Sequence, residues 1–253
     1  MSSLLPTPEN IIKILNHLIY TFLWKGKDKV TRKSAINNYE GGGIKMVDIE
    51  SMIKSLRLAW LKRIFGDNSG AWKNYLEYLL EETGGLVLFN CNYNVKDLTI
   101  SSQFYMELLK WWSEFRKDNA VETNWLYRIW NNQEIRINNK PVFYKKYFNY
   151  GIQTVGDLRF DLNNIDSYEV IAKHIQRTNF LEWTGLRHSV PFDFRNVYHN
   201  PDHTALNPSF KIDCGVFDVT KKKSKDYYSL FVRKKACFPN NARKLKCEFN
   251  LTD

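Results

Sequence analysis

Apolar residues recur at helical spacing along the first part of the chain. Ile11, Leu15, Leu18 and Phe22 fall at i, i+4, i+7 and i+11, with Ile12, Ile19 and Leu23 beside them. Thr7-Pro8-Glu9 supplies a capping residue, a proline suited to the first helical position and an acid for the positive end of the dipole. The pattern predicts a helix ending near Trp24, broken by Gly26. Gly41-Gly42-Gly43 implies a tight turn or a close backbone approach. Asp48 is placed to cap a second helix with the stripe Ile49, Met52, Ile53, Leu56, Trp60 and Ile64, running to about Gly66.

The middle of the chain reads as further helices. Residues 71–82 are apolar at Trp72, Tyr75, Leu76, Leu79 and Leu80, and 103–117 at Phe104, Leu108, Trp111, Trp112 and Phe115. Leu86–Phe89 fits a strand or a buried loop, and Trp125–Trp130 a helical turn. Glu134-Ile135-Arg136-Ile137 alternates between asparagine pairs and suggests a strand, paired as a hairpin with the region of Val142. Pro141 can open a helix that Gly151 ends in the left-handed conformation. Ser167 can cap a helix to about Ile175, and Thr178 or Asn179 another leading to Gly185. Residues 191–217 hold Pro191, Pro201 and Pro208 with little periodicity and read as a linker. Asp218 or Thr220 then caps a basic helix with Tyr227, Tyr228, Leu230, Phe231 and Val232 on its apolar side. The fold expected is mainly α, with one or two short β-hairpins and a basic C-terminal helix. The segments expected are 1–66, 67–190, a linker at 191–217, and 218–253.

Charge changes this picture more than composition does. The 253 residues are 43% hydrophobic and 15% aromatic, enough to bury a core, and carry +10 with a pI near 9.3. Residues 1–65 and 211–253 each hold 11 basic and 5 acidic side chains, net +6, whereas 66–210 hold 15 basic and 17 acidic, net −2. Positive potential concentrated at the two ends favours polyanions. Lys25, Lys27, Lys29, Arg32 and Lys33 follow Phe22 and Trp24. Lys54 and Arg57 lie on the second helix, and Lys221, Lys222, Lys223 and Lys225 open the last one. Such groups neutralise phosphates, and neighbouring aromatics can stack on unpaired bases, although Trp24 suits a core position better.

Chemistry-bearing motifs are missing. There is no Asp-Asp dipeptide, and Glu81-Glu82 reads as a solvated pair at a helix end. Asp157, Asp161 and Asp166 read as turn and cap residues. His199 and His203 are four apart, but Pro201 between them disfavours a helical metal face. Cys91, Cys214, Cys237 and Cys247 include no C-x-x-C pair and read as reduced thiols of an intracellular protein. Gly41-Gly42-Gly43 lacks the Lys-Ser/Thr of a phosphate loop. No leader pattern and no membrane-length apolar stretch is present, so no membrane partner is expected. No cofactor and no metal is expected.

Several ordered blocks carry a family resemblance. Phe22-Leu23-Trp24-Lys25-Gly26-Lys27, a basic stretch, then Glu40-Gly41-Gly42-Gly43-Ile44-Lys45-Met46-Val47-Asp48-Ile49 resembles the signature after the palm of LINE-type (non-LTR) retrotransposon reverse transcriptases. Ile135–Phe143, Gly151-Ile152 with Asp157-Leu158, Phe180–Leu186, and Phe217–Lys221 with Ser224–Tyr228 look like later blocks of the same polyproteins. The resemblance implies a thumb-like first segment, which in that family grips the primer–template duplex, and a wrist-like region after it. In that family a palm with the paired catalytic aspartates precedes these blocks and a Cys/His module follows them; the sequence holds neither, nor an endonuclease, so polymerase chemistry would need a core supplied by a longer polyprotein. The function expected is therefore a non-catalytic part that holds RNA or DNA by its phosphates with low specificity. Two other readings stand beside it. One is a protein-docking module, marked by an exposed apolar patch within 100–150. The other is an enzyme whose histidines converge only in space.

Overall fold

The computed structural model describes residues 8–66, 70–119, 128–158, 164–195, 209–212 and 215–235. Within them the protein is mainly helical, with two antiparallel two-stranded hairpins. The chain divides into two compact units. One joins Met1–Gly66 to Thr220–Asp253, and the other is Asp67–Val219.

In the first unit, α1 spans Glu9–Trp24. Its terminator is Lys25 rather than Gly26. Lys25 takes the left-handed conformation (φ 51°, ψ 39°), and Gly26 follows at φ 148°. Part of the stretch expected as a basic loop is helical: α2 spans Arg32–Ile36, and the Thr31 side chain caps it by accepting from the Ser34 N–H at 3.3 Å. The glycine turn lies against α2. The Gly43 N–H donates to Asn38 O at 2.9 Å, Lys45 N–H to Asn37 O at 2.9 Å and Met46 N–H to Ala35 O at 2.9 Å. A Cβ on Gly43 would stand 2.1 Å from Asn37 O, so this position admits only glycine.

Asp48 caps α3 (Ile49–Leu58), accepting from the Ser51 N–H at 3.1 Å. The single helix expected to reach Gly66 is broken at Ala59–Trp60. Bonds of the i to i+3 type, Trp60 N–H to Arg57 O and Arg63 N–H to Trp60 O, tighten the chain there before α4 (Leu61–Phe65). The buried face of α3 also differs from the expected stripe. Ser51, Ile53, Ser55, Arg57 and Leu58 are buried, while Met52 is exposed. The physical reason is α11 (Ser224–Lys235), which packs on α3. The face carrying Asp48 presents small serines to its neighbours, and the Ser55 hydroxyl turns back onto Ser51 O, so that hydroxyl is satisfied inside the unit. The Tyr228 hydroxyl accepts from the Asp48 N–H at 3.0 Å. Lys235 Nζ bonds Asp48 at 2.7 Å and Glu50 at 2.9 Å.

The second unit opens with α5 (Ala71–Leu80), two 3-10 turns over Glu81–Thr83 and Gly85–Asn90, and α6 (Gln103–Asn119). Leu86–Phe89, expected as strand or loop, is thus a 3-10 turn. Its Phe89 carbonyl faces α6 and accepts from Trp112 Nε1 at 2.8 Å, and beyond the turn Tyr93 donates its hydroxyl proton to Leu109 O of α6 at 2.8 Å. The helical turn expected over 125–130 falls partly outside the described residues. Its described end is extended, with Arg128 bridged to Thr154. β1 (Arg136–Ile137) and β2 (Lys140–Pro141) pair through Asn138 and Asn139, both at positive φ (52° and 62°), which matches the twist of a tight hairpin. Pro141 lies in β2, and α7 starts later, at Lys145–Asn149. Gly151 follows at φ 103°. Asp157 closes its turn by accepting from the Gln153 and Thr154 N–H groups.

α8 (Asn164–His174) begins before Ser167, so Ser167 is no cap; it is buried and accepts from Trp183 Nε1 at 3.1 Å. α9 (Phe180–Ser189), capped by Asn179, runs through Gly185 instead of ending there. The stretch expected as a linker contains α10 (Phe192–Arg195) and a hairpin of β3 (Ser209–Ile212) with β4 (Gly215–Asp218). Phe210 of that hairpin meets Trp112 and Phe115 edge-on and Phe217 meets Phe115 at a tilt, with ring centroids 5.6–6.3 Å apart, which anchors the hairpin on α6. The core of this unit gathers Trp130, Ile135, Tyr147, Val155, Trp183 and Leu186.

Candidate nucleic-acid interface

The two basic clusters at opposite ends of the sequence belong to one unit. Met1–Gly66 with Thr220–Asp253 carries 21 Lys and Arg against 8 Asp and Glu, net +13. Asp67–Val219 carries 16 against 19, net −3. The split of charge and the split of structure coincide.

Four elements meet where the clusters come together. Tyr20, buried on α1, donates its hydroxyl proton to Arg32 O at 3.3 Å. The Arg32 guanidinium lies over the same ring, 4.7 Å from its centroid, and its Nε donates to Asp28 at 3.0 Å. Burial pushes the Tyr20 hydroxyl above its usual range. Arg32 opposes that shift, and Asp48, Asp28 and Tyr228 add to it, so all five groups share one neighbourhood. Lys225 stands one helical turn before Tyr228, which brings the second cluster to the same region.

The expected phosphate-binding residues divide into three groups. Lys25, Lys27, Lys29 and Lys33 are exposed, and among the described residues they form no ion pair. Lys221, Lys223 and Lys225 are exposed and Lys222 is half-buried; the Lys223 N–H donates to Asp226 at 2.7 Å, which fixes the entry to α11. Lys54 is half-buried and ion-paired with Glu50 at 3.0 Å. Arg57 is 0% exposed, so its guanidinium does not reach the surface and cannot meet a phosphate. Helical spacing sets Arg57 one turn after Ile53, at the edge of the expected stripe, and the true buried face is rotated toward it and takes it inward. Residues not singled out from the sequence share the unit's exposed surface: Lys45, Lys62, Arg63, Arg233 and Lys234. The unit's composition is the signal that finds them, once the ends are known to pack together.

Glu50 is the most perturbed acid. The hydrogen bond from Lys235 holds its carboxyl down at about 2, with Lys54 contributing and burial opposing. Burial disfavours the Lys235 charge, yet Asp48 and Glu50 hold its ammonium above the usual lysine range. This is a structural clasp between α11 and α3, and it leaves Lys54 and Lys235 less available than the lysines of the α1–α2 loop.

Among the described residues no three His, Cys, Asp or Glu side chains converge to hold a metal ion, and no helix is long and apolar enough to cross a membrane. His17, His174 and His188 sit on α1, α8 and α9; His174 stacks on Tyr150, and His188 Nδ1 meets Thr184 O at 2.8 Å. His199 and His203 lie outside the described residues. Glu81 and Glu82, expected as a solvated pair, both bond Lys145 Nζ at 2.7 Å. Asp161 and Asp166 fall where side chains are not described. Within 100–150 the only exposed large apolar side chain among the described residues is Tyr150, so no apolar patch of the kind expected for docking is found there. Comparison with protein-family models, with curated proteins and with solved structures finds no match.

Proposed function

We propose that this chain is a non-catalytic part of a LINE-type retrotransposon reverse transcriptase polyprotein, and that its first unit holds RNA or DNA by the phosphate backbone. The observation that carries the reading is the net +13 gathered in one compact unit against −3 in the other. A second feature supports it. Lys221, Lys222, Lys223 and Lys225 crowd the N-terminal end of α11, where the helix dipole already disfavours cations. A polyanion there meets both the dipole and the lysines. The ordered motif blocks tie the same unit to a thumb-like role, with polymerase chemistry supplied by a core elsewhere in a longer polyprotein.

Neutralisation of phosphates by lysine ammonium groups gives sequence-tolerant, salt-sensitive binding. Filter binding of an RNA–DNA duplex at two salt concentrations tests this. Binding is expected at low salt. Reversing Lys25, Lys27, Lys29 and Lys33 to Glu lowers affinity, and it flattens the log K against log salt slope by about 0.9 for each phosphate that is no longer neutralised. Undetectable binding at low salt, or a slope unchanged by the fourfold variant, refutes the reading.

A further inference from the structure

The apolar arc of α1 is wider than the part the protein covers. Tyr20 is buried and Ile12, Ile19 and Trp24 are half-buried, facing the rest of the unit. The adjoining band of Ile11, Ile14, Leu15, Leu18 and Phe22 is open, each residue between 38 and 87% exposed, with Phe22 the most exposed. No charged side chain interrupts the band, and Asn10 and Thr21 border it. Taking roughly 200 Å² as the full surface of a large apolar side chain, these fractions leave roughly 550 Å² uncovered. Patches of this size on a single chain mark interaction surfaces.

We propose that α1 pairs antiparallel with α1 of a second copy of this chain, about a two-fold axis between Leu15 and Leu18. The spacing Ile11, Leu15, Leu18, Phe22 alternates steps of four and three, the repeat of a helix–helix seam. An uncharged band is its own complement, as an isologous interface requires. The axis sets Leu15 against Leu18 and Ile11 against Phe22. Two copies bury at most about 1,100 Å², which reaches the roughly 1,000 Å² that a specific interface needs.

Charge selects the direction. A parallel pair brings together two copies of the loop holding Lys25, Lys27, Lys29, Arg32 and Lys33. An antiparallel pair separates the loops by about the length of the helix, roughly 24 Å for its 16 residues. That exceeds the screening length of ~10 Å at 0.1 M salt. Along its length the band is bordered by Asn10 and Thr21, and the basic residues adjoining it stand only beyond its C-terminal end, so an interfacial helix with a basic polar face is the weaker fit. This proposal stands apart from the nucleic-acid reading, and salt separates the two: screening weakens phosphate binding but strengthens pairing of two copies at net +13.

The test is sedimentation equilibrium of the full chain across the micromolar range, at low and high salt, with nucleic acid removed. The result expected is a discrete monomer–dimer equilibrium that tightens several-fold at higher salt. Leu18→Asp places a charge on a residue already open to solvent, so it folds normally by circular dichroism and remains monomeric. His17→Asp, on the polar side of α1, dimerises like the unmutated chain. A monomer at all concentrations overturns the proposal, as does a dimer that survives Leu18→Asp. Recruitment of the monomer to anionic phospholipid vesicles in a Leu18-dependent manner also overturns it, and assigns the band to a membrane surface. Loss of duplex binding in any of these samples bears only on the earlier reading.

Discussion

Replacing Lys235 by Gln removes the clasp between α11 and α3 at little change in volume. Lys235 Nζ bridges Asp48 at 2.7 Å and Glu50 at 2.9 Å. The Glu50 carboxyl is drawn from an ordinary 4.5 down to about 2, first by Lys235. Each pKa unit corresponds to ~1.4 kcal/mol, which sets a ceiling of about 3 kcal/mol on that stabilisation. Glu50 is 44% exposed at its side chain and is shared with Lys54, so solvent screening cuts its share to about 1 kcal/mol. Asp48 is only 12% exposed and keeps its bond from the Ser51 N–H, so losing Lys235 there costs about 1 kcal/mol more. The total of about 2 kcal/mol lowers the melting temperature of the first unit by roughly 8–16 °C. The pH dependence fixes the cause. Glu50 is depressed in the folded state, so its contribution is fully present above about pH 4.5 and is lost as pH falls toward 2. Lys235 is raised, so its contribution is fully present below pH 10.5 and is lost as pH rises through its folded value. Calorimetric melting of the two proteins from pH 3 to pH 8 checks this. The gap between them is expected to be constant from pH 5 to pH 8 and to shrink at pH 3. Equal melting temperatures at pH 7, or a gap that persists undiminished at pH 3, refutes the reasoning.

Arg57→Ala destabilises the first unit by about 2 kcal/mol or more, because it empties the space of a large buried side chain, while duplex affinity per folded molecule stays unchanged; a melt and a filter-binding titration on one preparation check both. Gly43→Ala forces a Cβ to within 2.1 Å of Asn37 O, so the turn must open; a loss of about 2 kcal/mol or more by chemical denaturation is expected, and an unchanged midpoint contradicts the packing. Cys91 is buried, and burial pushes its thiol up to about 11. In a Cys214→Ser, Cys237→Ser, Cys247→Ser variant, it resists thiol reagents at pH 8 until denaturant is added, and rapid native labelling contradicts its placement.

The helices legible in the sequence are those whose ends carry their own chemistry. Asp48 caps α3, Asn179 caps α9, and the positive-φ pair Asn138 and Asn139 turns the β1–β2 hairpin. The misjudged elements depend on partners distant in sequence. Ser167 has the side chain of a cap, yet Trp183 and Arg187 use it as a buried acceptor, so α8 starts earlier. The β3–β4 hairpin carries little periodicity of its own, because its order comes from Phe210 and Phe217 meeting Trp112 and Phe115. α3 reads as a stripe through Met52, but the helix that covers it lies about 180 residues away, and that helix decides which face is inside.

The same limit governs the candidate interface. Charge counted along the sequence shows two basic ends and gives no reason to join them. The Asp48–Tyr228 bond and the Lys235 clasp join them, and the +6 of Met1–Gly66 and the +7 of Thr220–Asp253 become one unit of +13. Hydrophobic periodicity in turn identifies which side of α1 is apolar and is silent on how much of that side the protein fills. Ile12 and Ile19 are partly covered, while Leu18 and Phe22 from the same pattern are open. The packed side of α1, anchored by Tyr20, holds the helix to the unit, and the bare band gains free energy only with whatever covers it. α1 thus contributes half its apolar arc to the fold of the unit and leaves the other half open, while the lysines beyond its C-terminal end are exposed.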